Sequence, residues 1–243
     1  MTDFPASPLP PAEFFEQWLP QRFAAAELTP ALREADLSLG VVLRGEGGGE
    51  WLLTIEDGAL RVASGGEWLP TIEDGASRVA GGGEWLPTIE DGASRVAGGA
   101  RKGVPVTLVQ GVAEWRGGLW EGRGGAFSAR VSALFDPVAL AAALKDREKL
   151  LLRDGPVSHL ERVGAHVELR VTGAPGGDWS AGVLLGPGSI ERPDARIVLT
   201  ERDADALIEG RLDVVEALMG GKLQLEGDSG FLLKLPRLFG WLA

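Results

Sequence analysis

The sequence predicts an α+β fold made of two similar halves, and three observations support this prediction. Segments that alternate apolar and polar residues, as half-buried strands do, lie between segments of helical periodicity. Each half contains a strand, then a Gly-Glu-Trp or Gly-Asp-Trp sequence that opens a second strand, and then a third strand. Within the first half a 17-residue segment occurs three times in succession, with the pattern of one β-hairpin per copy.

Length and composition are those of a globular protein. The chain has 243 residues, of which 44% are hydrophobic and 24% charged, a size that suits two domains of about 100 residues. The net charge of −11 argues against nucleic acid as a partner. Cysteine is absent, which excludes disulfides, thiol catalysis and cysteine-bound metals. We find no signal peptide and no apolar run of about 20 residues, so we expect a cytoplasmic protein without an integral membrane segment.

The N-terminal elements are predicted from periodicity and capping residues. Residues Pro11–Phe23 form a helix whose apolar stripe is a core face: Phe14, Phe15, Trp18, Leu19 and Phe23. Thr29 and Pro30 are an N-cap and first residue for a second, short helix. Asp36–Leu43 alternates and predicts the first strand.

The three copies of the repeat differ at positions that matter for a hairpin. Copy one, Glu50–Gly66, runs strand, Asp-Gly turn, strand, and copies two and three are Glu67–Gly83 and Glu84–Ala100. Both later copies have Pro and Ser where copy one has Leu53 and Leu60. Proline removes a ladder donor. Copy one is therefore expected in the folded core, with the other two as added hairpins outside it.

The rest of the chain predicts a mixture of strands and short helices. Asp136 and Pro137 begin a helix that continues to about Lys149. Two more helices are expected at Ala204–Glu209, after a capping-box-like Thr200, and at Asp213–Met219. The predicted strands are Val104–Val109, Phe127–Leu134, His166–Val171, Trp179–Leu185, Ala195–Thr200 and Lys222–Glu226.

The two halves are expected to be domains of residues 1–135 and 136–243. The strand at Leu37–Leu43 corresponds to that at His166–Val171, and Trp51 corresponds to Trp179. Two further pairs of segments correspond: Val106–Val109 with Arg196–Leu199, and Phe127–Val131 with Lys222–Glu226.

The C-terminal 49 residues carry a specific motif. A strand Ala195–Thr200 is followed by Asp205-Ala-Leu-Ile-Glu-Gly-Arg-Leu-Asp and then by Glu216-Ala-Leu-Met-Gly-Gly-Lys-Leu-Gln-Leu-Glu-Gly-Asp. This segment resembles the C-terminal signature of the sterol carrier protein type-2 lipid-transfer domain. The hairpin Trp51-x-x-x-Ile-x-Asp-Gly resembles the hairpin of the same family. The first half lacks the Gly-Lys-Leu signature.

The resemblance implies a curved, mostly antiparallel sheet covered by helices in each half, with the extra hairpins inserted in the first. It also implies an apolar tunnel that holds a sterol, a fatty acyl chain or another lipid. Lining residues are expected from the inward sheet face and the last helices: Leu218, Met219, Phe231, Leu232, Leu235 and Phe239.

Structural roles compete with these assignments. Leu218 and Met219 suit an ordinary core, and the apolar tail from Phe231 suits a cap on that core, a partner-docking segment or a membrane-surface contact. His159 and His166 have no catalytic or metal-binding partner at a recognisable spacing. The repeated Glu-Asp pairs would bind Ca²⁺ only in stacked hairpins, and Asp-Gly turns need no ion.

The sequence therefore predicts a non-catalytic protein, without cofactor or metal, that binds a hydrophobic small molecule or lipid. The alternative is a ligand-free protein-interaction module that uses its sheet edge, its inserted hairpins or its apolar C-terminal tail. The sequence has no nucleophile and base at a recognisable spacing that would indicate an enzyme.

Deleting residues 67–100 tests the assignment of the later copies as added hairpins. The shortened chain is expected to fold with nearly the same melting temperature, because Pro and Ser replace apolar core residues in both copies. Circular dichroism melting of the two chains is the measurement. A large loss of stability would mean that the deleted copies belong to the sheet.

Overall fold

Eight strands form one continuous open sheet with helices packed on one face. A computed structural model describes residues 4–34, 36–65, 104–144, 164–174 and 176–227. The strand order is β3-β2-β1-β4-β6-β5-β7-β8. The strands are β1 Leu37–Arg44, β2 Gly49–Glu56, β3 Ala59–Ser64, β4 Val106–Gly111, β5 Ala165–Thr172, β6 Trp179–Leu185, β7 Ala195–Thr200 and β8 Leu223–Gly227.

The helices are short and precede or follow the strands of each half. At the N-terminus, α1 and α2 are joined by a π-helical turn at Phe14–Trp18, which confirms the predicted helix. The helices are α1 Pro11–Glu13, α2 Leu19–Ala25, α3 Pro30–Glu34, α4 Val112–Trp120, α5 Gly125–Ala133, α6 Pro137–Leu144, α7 Glu201–Ile208 and α8 Val214–Met219. The part of the predicted helix from residue 145 to 149 lies outside the described residues.

A single strand pair, β4 with β6, joins the strands of the two halves. Val106 to Val109 pair with Leu185 to Gly182 in antiparallel register. The expectation of one sheet per half is therefore corrected to one sheet shared by both. Only β1–β4 and β5–β7 pair in parallel, and the other strand pairs are antiparallel, so the sheet is mostly antiparallel as expected.

The two halves use the same strand register around a tryptophan. In the first half three neighbouring strands place side by side Trp51, Val41 and Leu108. In the second half the matching three strands place side by side Trp179, Val171 and Leu199. All six side chains are buried. Trp, Val and Leu thus occupy equivalent register positions in the sheet in both halves.

Copy one of the repeat is the hairpin β2–β3, as predicted. Asp57 and Gly58 both have positive φ, 51° and 73°, which is the backbone that a two-residue primed turn requires. Leu53 lies opposite Leu39 and Val62, so copy one is part of the sheet. Copies two and three lie outside the described residues.

The prediction of a strand at Phe127–Leu134 is wrong, because this segment belongs to helix α5 and Leu134 is the C-cap of that helix. Gly124, in the left-handed region with a φ of 82°, precedes its first turn. Phe127, Ser128 and Ser132 are its buried residues, a spacing that a helix accommodates and a half-buried strand does not. The match of Phe127–Val131 with strand β8 fails for the same reason.

Side-chain caps fix where three helices begin, and all three capping residues were predicted at helix starts, although α7 begins at Glu201 and not at the predicted Ala204. Thr200 Oγ1 accepts from Asp203 N at 3.2 Å at the start of α7. Asp213 Oδ1 accepts from Val215 N at 2.8 Å at the start of α8. Asp136 Oδ1 accepts from the backbone amides of two residues in the first turn of α6.

The loop formed by residues 186–194 lies on the face of the sheet opposite the helices. Arg44 donates to the Ile190 carbonyl. His166 and Asp194 exchange two hydrogen bonds of 2.8 Å, one from each backbone amide. His166 is 3% exposed, and its Nδ1 has no hydrogen-bond partner among the described residues. Burial is the main cause that lowers the pKa of His166 below its ordinary value of 6.5.

We expect the free energy of unfolding to fall as the pH is lowered from about 6.5. The charge of Arg44 lowers the pKa of His166 further, whereas the Arg192 carbonyl, Asp194 and Glu168 raise it, and the net direction is down. The unfolded chain therefore takes up a proton at a pH at which the folded chain does not. Urea unfolding between about pH 5 and pH 7.5 measures this, with His166→Gln as the variant that lacks the titration. Equal pH slopes for the two proteins would contradict the prediction.

Candidate functional site

The described part of the predicted site does not enclose a ligand. Leu218 is half-buried and packs against the core, and Met219 at the end of α8 is 83% exposed. Phe231, Leu232, Leu235 and Phe239 lie outside the described residues. The binding role of these six residues thus stays a prediction.

An apolar cleft lies instead between the outer strands of the first half and two helices. Its volume is about 20 Å³, which is the room for roughly one water molecule. Every lining residue is apolar, and seven of them are leucines. The lining residues are Leu19, Phe23, Leu37, Leu39, Leu53, Ile55, Leu60, Leu134 and Leu140.

Strand alternation places the floor of this cleft on the helix-covered face. Leu39 lies opposite Leu53, and Ile55 lies opposite both Leu37 and Leu60. Side chains directly opposite each other on neighbouring strands are in contact distance, so these five residues form one apolar surface across β1, β2 and β3. Three strands contribute to it, and therefore no single sequence segment reveals it.

An aromatic cluster borders the cleft on the side of the sheet centre. Trp51 stacks on Phe15 with ring centroids 4.6 Å apart, and its Nε1 donates to Glu16 Oε1 at 3.0 Å. The ring of Phe15 is also tilted against Trp115, with centroids 5.7 Å apart, and lies edge-on to Phe135, with centroids 5.5 Å apart. These large rings fill the space beside the cleft, so the apolar opening is confined to the outer strands.

Helix α6 covers the cleft through Leu140, which is 3% exposed. The helix is held at its start by Asp136, whose Oδ2 lies 3.4 Å from the guanidinium of Arg22 on α2. Val138 on the same helix is 58% exposed, so solvent reaches the other side of α6. Helix α6 thus covers part of the cleft, and among the described residues its first turn is tied to α2 through the contact between Asp136 and Arg22.

A second cavity, of about 10 Å³, lies between α4, α5 and strands β4 and β6. Gln110 Nε2 donates to the Ser180 carbonyl at 2.9 Å, and Ser128 Oγ donates to the Gly125 carbonyl at 3.0 Å. Trp115 Nε1 is buried there, and no hydrogen-bond partner of it was found. This space suits at most one water molecule, so it is not a ligand site of useful size.

The described residues hold no group of three or more His, Asp or Glu side chains that could bind a metal ion. Glu56 and Asp57 of copy one sit at the exposed tip of the hairpin. Within the same ranges, none of the helices has the length and apolar character needed to cross a bilayer.

Sequence reasoning missed the apolar cleft and the role of the first half in forming it. The sequence does carry one indication of the cleft, namely the two leucines, Leu53 and Leu60, that copy one has and the later copies lack. These two positions are both in the lining. Ile55 belongs to the same hairpin, and the other lining residues come from four further segments whose meeting depends on the complete fold.

Comparisons with known proteins find a family similarity in the second half. Residues 157–240 match the SCP-2 sterol transfer family. The chain is 28% identical to sterol carrier protein 2 of Gallus gallus over 123 residues, 47% of this chain and 22% of that protein. It is 29% identical to the Homo sapiens protein over 102 residues, 39% of this chain and 18% of that protein.

Two solved structures give weaker likenesses. The sterol carrier protein domain 2 of Helicoverpa armigera is 24% identical, with coverage of 42% of this chain and 80% of that chain and a TM-score of 0.30. Sterol carrier protein 2 like 2 of Aedes aegypti is 25% identical, with coverage of 34% and 76% and a TM-score of 0.27. The chain spans less than a quarter of the length of the full-length relatives named above. Residues 157–240 are therefore similar to the SCP-2 sterol transfer family and to these sterol carrier protein 2 relatives.

Proposed function

We propose that the protein binds and carries a hydrophobic ligand, without catalysis, and that the apolar cleft of the first half takes up the hydrocarbon. The observation that carries the proposal is the lining of that cleft, in which all nine side chains are apolar. A hydrocarbon gains free energy when such a cleft removes it from water, whereas a polar group would find no hydrogen-bond partner among the lining side chains. The names of the family and of the relatives, sterol transfer and sterol carrier protein, support the same class of ligand.

Burial alone supplies enough free energy for useful affinity. Each methylene removed from water contributes about 0.8 kcal/mol, so ten of them contribute about 8 kcal/mol. That figure corresponds to a dissociation constant of roughly 1 μM, without the free-energy cost of opening the cleft. The non-catalytic role rests on this argument, since a carrier needs no nucleophile or base.

The ligand-bound state requires the cleft to open, because about 20 Å³ holds no acyl chain. Helix α6 is the element best suited to move, since Leu140 faces the cleft while Val138 faces solvent. Leu140 would then separate from the floor formed by β1, β2 and β3.

We also infer that the chain is a tandem pair of sterol-carrier-like halves, divided near residues 135 and 136. The shared register of Trp51 and Trp179 supports this inference. The family match covers the second half only. A ligand site in that half, at the six predicted residues from Leu218 to Phe239, and a cytoplasmic location are part of the same proposal.

Titration of the purified full chain with a polyene fatty acid that fluoresces in apolar surroundings tests the function. We expect saturable binding with a dissociation constant of roughly micromolar magnitude. Leu140→Gln is expected to weaken binding at least about tenfold, because it places an amide in the cleft. Val138→Gln, two residues away on the exposed side of α6, is the matched control and is expected to bind as the unchanged chain does.

Circular dichroism melting establishes that each variant is folded, and Leu134→Gln at a half-buried position replaces Leu140→Gln if the latter does not fold. Absence of saturable binding to the full chain overturns the proposal. Oligomerisation that depends on residues 231–243, together with absence of ligand, would favour the alternative of a protein-interaction module. Equal affinity of Leu140→Gln and Val138→Gln would place the ligand outside the cleft.

A further inference from the structure

Leu53 and Leu60 occupy the centre and the outer side of the cleft floor. Leu53 on β2 lies between Leu39 of β1 and Val62 of β3, and it is 4% exposed. Leu60 on the edge strand β3 lies opposite Ile55 and is half-buried. Both side chains line the cleft.

The three copies of the repeat differ mainly at these two positions. All copies retain the tryptophan that in copy one stacks on Phe15, the Asp-Gly turn and the isoleucine of Ile55. Copy two differs from copy one at three of its 17 positions, and two of these are Leu53, which becomes Pro70, and Leu60, which becomes Ser77. The tryptophan, the turn and the isoleucine are thus common to the copies, whereas the lining residues Leu53 and Leu60 are specific to copy one.

We propose that Leu53 and Leu60 determine which hydrocarbon the cleft accepts, and that the ligand is an unbranched acyl chain inserted by its methyl end. This inference rests on the proposed function. The lining has no polar side chain, so a carboxylate or ester group of the ligand stays outside, where it remains hydrated. The leucines of the lining adapt to a flexible chain, since the ring of Phe23 is the one flat surface among the nine.

The size of the two floor side chains then limits the length of chain that fits. In the opened cleft the ligand packs against this floor, so each carbon removed from or added to the floor changes the space for the ligand. One methylene of ligand changes affinity about fourfold, as the transfer free energy of about 0.8 kcal/mol requires. A change of a few carbons in the floor therefore shifts the preferred chain length by about two carbons.

The test compares Leu60→Ala and Leu60→Phe in the full chain. Leu60 is chosen because an edge-strand, half-buried position tolerates substitution better than the buried Leu53. Competition of saturated fatty acids of about 10 to 18 carbons against the polyene fatty acid measures the chain length that binds most tightly. We expect a shift of about two carbons towards longer chains for Leu60→Ala and towards shorter chains for Leu60→Phe.

Leu52→Ala is the matched control, because Leu52 lies on β2 next to Leu53 and points to the opposite face of the sheet. It is expected to leave the preferred length unchanged. A purely structural role for Leu60 would lower the affinity for all chain lengths by the same factor, and that result overturns the inference while the proposed function stands. Tighter competition by a sterol than by any fatty acid overturns the acyl-chain assignment. If the unchanged chain binds no fatty acid and no sterol, the proposed function itself fails.

Discussion

The pairing of β4 with β6 is the constraint on which the rest of the structure depends. Backbone hydrogen bonds along this pair turn two groups of four strands into one sheet. Gly182 permits the close approach, since a Cβ there would lie 2.6 Å from His166 Nε2 and 3.2 Å from the Val109 carbonyl oxygen. Helix α4 packs over the junction, and Trp179 Nε1 donates to its Glu114 carbonyl at 3.1 Å. The two halves therefore share one sheet and one core.

Local chemistry made much of the fold predictable. The Asp57-Gly58 turn and the caps at Thr200 and Asp213 each act over a few residues, so their positions in the sequence reveal the elements directly. Helix α5 was missed because its small residues, such as Ser128 and Ala133, fit an alternating pattern as well as a helical one. Packing against α4 and α7 decides between the two, and that packing is not a property of the segment.

The site was harder to predict than the fold because it is assembled from distant segments. Leu19 and Leu140 are far apart in the chain and meet over a floor of three strands. The C-terminal motif lies within residues 157–240, which match the SCP-2 sterol transfer family, whereas the apolar cleft formed by described residues is in the first half. Family likeness and cavity thus point to different halves of one sheet. The distinction matters for any attempt to identify a ligand from the motif alone.

The place of copies two and three between β3 and β4 has a consequence for how the gene tolerates repetition. The connection between these strands runs from residue 65 to residue 105, and copies two and three account for residues 67–100 of it. The closure entropy of an unstructured loop grows only with the logarithm of its length, so lengthening such a loop from about 7 to about 41 residues costs about 1.6 kcal/mol. That cost is small beside the free energy of unfolding of an ordinary domain, about 5 to 15 kcal/mol. Selection on stability alone would therefore act only weakly against the extra copies.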